Sequence, residues 1–377
     1  MNEIEKLSEK NFPLNKDFKN LLFNLRVISN DQRKINHDKI ISWIDDHPNP
    51  DGSVSKALTY VLPTKGCKYA MAKHGGCSMC TLPMDNPLEP TEEEISILPQ
   101  RSLEIFKEKG GSDVFSAVKF YTSGSFLDRW EIPSKIQQDF MKLFKDQVDE
   151  IILETRCEFV NKKNIENLLE VIDSRKLVIA IGQESTDDEI NKRSINKGHT
   201  LKQFARAVKI LNSYNVGVKG YILLKPIFLS EYAALEDAIR TGAAMKKLGV
   251  ENISINPSYI GKATLMDEMY KYDNYRPPWL WSVYFSALKI KKLLGSSARI
   301  ICDPVAAGSD RGPKNCGECD ADFKTLLKSF SATQDLQSLL NDVPKCVCKE
   351  IYLSSINSEI LYNGMGVYHE YPLKRWK

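Results

Sequence analysis

Residues 64–82, TKGCKYAMAKHGGCSMCTL, constrain this chain more than any other stretch, because Cys67, Cys77 and Cys80 fall there in a C-x9-C-x2-C spacing. Just before them runs a compact apolar segment, residues 58–62, which reads as a buried strand. Three thiolates on a loop leaving a strand suit an iron–sulfur cluster, since a four-iron cluster takes one cysteine per iron. Three local ligands leave one iron open to a small molecule. Gly66, Gly75 and Gly76 let the backbone approach a bulky inorganic group without side-chain clashes. The competing readings are three unrelated buried thiols or a zinc site, which wants a fourth nearby ligand. His74 is the candidate inside the loop, although a histidine among charged neighbours is more often solvated.

Composition narrows the setting. The N-terminal MNEIEKLSEK is polar and charged, so no signal peptide is expected, and the most apolar long run, residues 277–290, is too short to span a bilayer. Nine cysteines in a chain expected to be cytoplasmic point to metal or redox chemistry rather than disulfides. A net charge of +3 over 377 residues gives no global basic field, so any nucleic-acid contact has to come from a local patch.

Taken in order, residues 1–52 read as an N-terminal helical arm. Asp31 caps a helix running through Ile35, Ile40, Ile41 and Ile44 until the Pro48-Asn49-Pro50-Asp51-Gly52 breaker. The arm is expected to cover the open side of the main domain as a packing element without chemistry. From residue 53 to about 300, strand-like and helix-like stretches alternate, with strands at 58–62, 116–121, 149–155, 177–182, 216–224 and 252–257. A helix over 201–214 has Thr200 as its cap and Leu201, Phe204, Ala205, Val208 and Leu211 on one face. Such alternation builds a parallel sheet. Six units make a partial (β/α)6 TIM-like barrel whose site lies at the strand C-terminal ends.

A seventh strand over 298–302 leads into a cysteine-rich extension, residues 301–377. There Cys316 and Cys319, then Cys346 and Cys348, give C-x2-C-x26-C-x-C. Two thiol pairs supply the four ligands of a structural zinc site, and Gly317 permits the knuckle turn. The C-x-C half is unusual for a zinc ribbon, which leaves an auxiliary iron–sulfur cluster or four free thiols open. Cys157 and Cys302 read as buried small hydrophobes. Lys192, Arg193 and Lys197 form a small basic cluster beside the expected barrel mouth, suited to phosphate, with a solvated face as the plainer alternative. Lys225, amid apolar neighbours, is either a snorkelling side chain or a site residue.

The nine-residue cysteine gap after a first strand resembles the radical S-adenosylmethionine (SAM) superfamily, in particular its elongator-catalytic-subunit-like branch. SGSF at 123–126, ETRCEFV at 154–160, IGQES at 181–185, the KGHT run at 197–200 and GPKNCGEC at 312–319 narrow it further. Together they are similar to the radical-SAM subunits of archaeosine synthase over roughly residues 20–370. The resemblance implies a [4Fe-4S] cluster on Cys67, Cys77 and Cys80. It also implies SAM contacts from Ser123, Gly124, Glu154, Arg156, Gln183, Glu184 and Asn256, and an external electron donor.

In that family a partner attaches lysine to a cyano-7-deazaguanine in the tRNA D-loop, and the radical enzyme cleaves a carbon–nitrogen bond in the adduct to leave archaeosine. The implied partners are therefore tRNA and the lysine-transferring subunit. Two other functions fit the residues: a different radical-SAM modification of RNA, such as methylthiolation, or a non-catalytic RNA-binding protein that uses metal to fold.

Overall fold

The computed structural model describes residues 14–31, 39–49, 51–82 and 90–364. Eight strands lie side by side in sequence order: β1 (Ile41–Pro48), β2 (Val54–Leu62), β3 (Phe115–Thr122), β4 (Glu150–Thr155), β5 (Leu177–Glu184), β6 (Gly217–Leu224), β7 (Asn252–Pro257) and β8 (Arg299–Ile301). The first pair is antiparallel and every later neighbour is parallel. Each strand expected from the sequence is present.

The helices of this account are α1 (Leu14–Asp31), α2 (Leu98–Glu108), α3 (Ser134–Phe144), α4 (Lys162–Leu169), α5 (Leu201–Ser213), α6 (Glu231–Lys247), α7 (Leu265–Lys271), α8 (Leu280–Leu294), α9 (Asp320–Thr333), α10 (Leu336–Asn341) and α11 (Cys348–Gly364). The crossover α5 shows why they form. Thr200 accepts from the Gln203 backbone while the Gln203 side chain accepts from Thr200 N–H, and Phe204, Ala207, Val208 and Leu211 are buried. Such a capping box contributes about 1 kcal/mol.

One expectation fails at the N-terminus. The helix read through Ile40, Ile41 and Ile44 is in fact β1, hairpinned onto β2, while Ile35 lies outside the described residues. The breaker closes this hairpin instead of ending a helix: Asn49 N–H donates to the Ser53 carbonyl at 2.9 Å and Gly52 N–H to Asn49 at 3.1 Å. Isoleucines three and four apart fit a helix, but β-branched residues and Trp43 suit a pleated strand equally, and the pairing with β2 decides. The true helical arm, α1, lies further upstream.

The sheet's outer face is apolar and packs on the helices through Leu58, Tyr60, Phe120, Leu153, Ile179, Ile222 and Ile255. Its inner face mixes polar side chains with a small apolar cluster of Ile152, Val178 and Ala180. At the floor, Arg299 on β8 reaches both the Pro48 carbonyl on β1 (3.3 Å) and Glu150 on β4 (3.0 Å), so the two edges of the sheet curl toward each other. His47 adds a 3.3 Å contact to Glu150. The curl makes a half-barrel with a lumen, and the strand C-terminal ends form its mouth. Among the described residues no helix is long and apolar enough to cross a membrane.

Candidate active site

The cysteine loop leaves β2 at the mouth, as its position after a strand requires. Gly66, Gly75 and Gly76 all have positive φ, and the last two sit where any side chain would collide. A Cβ on Gly75 would stand 2.3 Å from the Leu22 backbone, and one on Gly76 2.6 Å from Ala70 Cα. The loop is stapled from two sides. From α1, Arg26 donates to the Cys80 carbonyl (2.8 Å) and the Gly75 carbonyl (3.3 Å), while Leu22 and Leu25 bury against Ile227, Ile260 and Met266. The arm thus does more than cover the barrel. It clamps the cysteines.

From the 191–200 segment, Asn196 donates to the carbonyls of His74 (3.0 Å) and Gly76 (2.7 Å), and Ser78 bonds the carbonyls of Ser194 and Ile195. Gly198 leaves room for the Tyr69 ring, 2.2 Å from where its Cβ would be. His74 is half-buried against that ring (centroids 4.2 Å apart) rather than solvated.

Burial pushes the Cys80 thiol up to about 12 and raises Cys67, whose thiol the Arg156 guanidinium partly relieves. Ionised sulfurs therefore need cations, and three are at hand. Arg26 faces Cys80, Arg156 faces Cys67 and Cys77, and Lys197 faces Cys77. Three thiols of one loop, near enough to feel one another's charge and backed by positive charge, fit an iron–sulfur cluster, whose ligands must be thiolates.

The β3 end supports the same loop. Glu131 is buried and pushed up to about 7 by that burial; it accepts from Thr64 Oγ1 and from Ser125 N–H, both at 2.5 Å. Gly124 lies against Cys67, with 2.9 Å from its missing Cβ to the cysteine Cα. Ser123 Oγ is buried with no partner, a donor left for a ligand.

The other expected site residues divide. Arg156 is buried, stacks over Tyr69 at 4.3 Å, and bonds Glu158 (2.5 Å) and the Lys197 carbonyl (3.0 Å). Gln183 is committed within the protein, to the Ser185 carbonyl (2.9 Å) and His199 Nε2 (3.1 Å). Glu184 sits at a bulge with positive φ and pairs with Lys197 at 2.8 Å. Asn256, next to last in β7, is half-buried and accepts from Ser254 at 3.1 Å. Glu154 turns its carboxyl into the lumen, and burial pushes it up to about 7.

The expected basic cluster does not hold together. Lys192 and Arg193 are exposed, Arg193 pairing with Glu189 at 2.7 Å, but Lys197 is buried on Glu184 and faces the cysteines. Spacing alone gives no sign that a lysine four residues on turns inward. Lys225 neither snorkels nor faces the lumen: it pairs with buried Glu231 at 2.5 Å. The sequence reading also passed over a basic and aromatic patch beside Cys67, where Lys68 and Lys65 lie 4.7 and 5.5 Å from the exposed Trp130 ring.

The four C-terminal cysteines do converge, with all sulfurs within 4.8 Å of one another. Cys316 and Cys346 are 3.5 Å apart, Cys319 and Cys348 3.6 Å. A tetrahedral ion with metal–sulfur bonds of about 2.3 Å sets its sulfurs roughly 3.8 Å apart. Asn315 donates to Cys319 (3.4 Å) and Trp281 Nε1 to Cys348 (3.3 Å), so the set is braced by neutral N–H donors. Cys157 and Cys302 are buried as expected. Cys157 also gathers with Glu158 and His199, though Arg156 already answers that carboxylate.

A half-barrel with three cysteines on the loop after its first parallel strand defines a radical SAM enzyme, and the Radical SAM superfamily pattern matches residues 61–239. The chain is similar to archaeosine synthase subunit beta of Methanosarcina acetivorans (35% identical, covering 84% of this chain and 90% of that protein). It is equally similar to the same subunit of Thermococcus kodakarensis (37% identical, 79% and 91%) and to an uncharacterized protein of Methanocaldococcus jannaschii (35% identical, 92% and 95%). The chain belongs to the archaeosine synthase subunit beta family.

Proposed function

We propose that this chain is the radical-SAM subunit that converts the lysine adduct of 7-cyano-7-deazaguanine in the tRNA D-loop to archaeosine by cleaving a carbon–nitrogen bond. The observation that carries the reading is the likeness to two archaeosine synthase beta subunits over about nine-tenths of their length. When bound, a [4Fe-4S] cluster with SAM supplies the one-electron chemistry that starts a hydrogen abstraction. Cys67, Cys77 and Cys80 would hold that cluster. Ser123 Oγ, the Gly124 backbone, Arg156 and Asn256 are placed to bind SAM. Gln183 and Glu184 act at one remove, since Glu184 fixes Lys197 and Gln183 fixes His199.

The C-terminal knot is assigned a structural tetrahedral zinc, on the strength of its sulfur spacing and its closed set of four ligands. A four-iron cluster, with one iron per cysteine, needs a wider spread. Lys192 and Arg193, together with the Lys65, Lys68 and Trp130 patch, offer tRNA two contacts at the rim. With a net charge of only +3, the lysine-transferring partner is assigned part of the tRNA binding, and an external donor supplies the electron.

The test is direct. Anaerobically reconstituted protein, SAM, reductant and tRNA carrying the lysine adduct should yield archaeosine by nucleoside mass spectrometry. Formation of 5′-deoxyadenosine with the adduct left intact would assign the enzyme to another radical-SAM reaction, with methylthiolation the first to check. No 5′-deoxyadenosine at all would leave only a metal-stabilised RNA-binding role.

A further inference from the structure

The barrel floor carries three inward cations, and they are not treated alike. Lys119 on β3 pairs with Asp45 at 3.0 Å, and Arg299 on β8 pairs with Glu150 at 3.0 Å. Lys219 on β6 is 95% buried yet makes no hydrogen bond or ion pair with any described residue; its ammonium lies 5.4 Å from the Tyr221 ring. Desolvation, Lys119 and Arg299 together push it down to about 7. Across the lumen, Glu154 likewise has no hydrogen-bonded or ion-paired partner for its carboxyl among the described residues.

These two groups belong to one row. Glu154 on β4 registers with Ala180 on β5, and Ala180 registers with Lys219 on β6. Two strand spacings put their Cα atoms about 10 Å apart; between them the Ala180 methyl packs with Ile152, Val178 and the Tyr221 ring, while Glu154 keeps part of its side chain open to the lumen. Tyr121 and Tyr221 lie close to each other along the same stretch. Lys219 shares its row with Asn252 and Arg299, the first residues of β7 and β8, so it lies deep below the mouth where the cysteine loop sits.

We propose that this row binds a zwitterionic α-amino-acid head group, with Glu154 taking the α-ammonium and Lys219 the α-carboxylate. Burying an ionisable group without a partner is costly, and one acid and one amine facing the same lumen call for a ligand that carries the complement of each. Resting on the function proposed above and on attachment through the lysine side-chain nitrogen, the inference identifies that ligand as the free α-amino-acid end of the lysine moiety. The lumen then admits the lysine end first and leaves the nucleoside nearer the mouth. Lys219 and Glu154 are positioning residues. SAM carries the same head group, so the test must separate the two.

Reconstituted wild type, Lys219→Met and Glu154→Gln are compared by equilibrium binding of SAM, by thermal melting, and by KM for lysine-bearing tRNA. Lys219→Met should raise that KM at least about tenfold, as loss of a buried charged contact does. Its SAM affinity should stay within about twofold, and its Tm should not fall, because a buried amine without a partner has been removed. Nε-acetyl-L-lysine should compete with the tRNA for wild type while its α-carboxamide does not, and Lys219→Met should lose that distinction. An unchanged KM, equal competition by acid and amide, or weakened SAM binding instead of a raised KM overturns the inference. Wild type that ignores lysine-bearing tRNA removes the function and the inference together.

Discussion

The loop of Cys67, Cys77 and Cys80 and the knot of Cys316, Cys319, Cys346 and Cys348 use one side chain for opposite purposes. The loop offers three sulfurs, held by glycines at positive φ and faced by Arg26, Arg156 and Lys197. The knot offers four, closed to within 4.8 Å and backed by Trp281 and Asn315, which donate hydrogen bonds but bring no charge. A site short of one ligand and rich in cations is built to admit a reactant. A site with its ligands complete and its second sphere neutral is built to hold the chain together. Ligand count and surroundings, not the cysteines themselves, separate chemistry from architecture.

The comparison breaks most visibly at the knot. Cys348→Ser, at a buried ligand bonded by Trp281, should cost at least about 3 kcal/mol and lower Tm by several degrees or abolish soluble expression. Calorimetry and metal analysis would read it, with about one zinc per chain expected in the parent. A stable Cys348→Ser protein with full metal content would show the knot to be ornamental.

Next comes Gly124→Ala, which alters no ligand. Its Cβ would meet Glu131 Oε2 at 2.2 Å and the Cys67 backbone at 2.8 Å, so the loop must move. Iron incorporation at the loop should fall sharply while the metal content of the knot is untouched. Equal iron content would mean that the β3 end and the cysteine loop are not mechanically joined.

A third, more modest effect concerns pH. Burial drives His199 down to about 2, so it stays neutral when folded yet would take a proton near 6.5 when unfolded. The unfolded state thus binds more protons below 6.5, and stability is full above that value and declines as pH falls toward 2. Between pH 7 and 5 the loss is about 2 kcal/mol. His199→Asn should flatten that slope in melts taken across this range, and a slope as steep as the parent's would place the pH dependence elsewhere.

The smallest expected effects are at the rim. Lys192→Ala/Arg193→Ala and Lys65→Ala/Lys68→Ala should each flatten the log–log salt dependence of tRNA binding, by somewhat under one unit per phosphate contact. The pair that leaves the slope unchanged, measured with and without the lysine-transferring partner, is only a solvated face.

Much of this was legible beforehand, and the exceptions share a cause. Alternating apolar runs placed every strand from β2 to β8, because buried parallel strands leave a dense hydrophobic trace. The cysteine loop and knot declared themselves by spacing. Lys219 did not, since in KGYILLKP the eye falls on Lys225, and only the register shows that Lys219 and Tyr221 face the lumen while Lys225 turns to Glu231. Lys197 went astray in the same way: it reads as one of three surface cations until Glu184 is seen across the bulge. Arg26 lies about fifty residues from the cysteines it clamps, a separation that no local pattern bridges. Pairing across strands, not propensity along them, decides such positions.

The central claim is that radical chemistry belongs to the loop and folding to the knot. It is tested most directly by 5′-deoxyadenosine formation in the Cys77→Ala protein beside the parent, both anaerobically reconstituted with reductant and SAM, with metal content measured on the same samples. The account predicts that Cys77→Ala makes none while retaining about one zinc per chain and the parent's fold. Reductive SAM cleavage at the parent's rate by Cys77→Ala would contradict it.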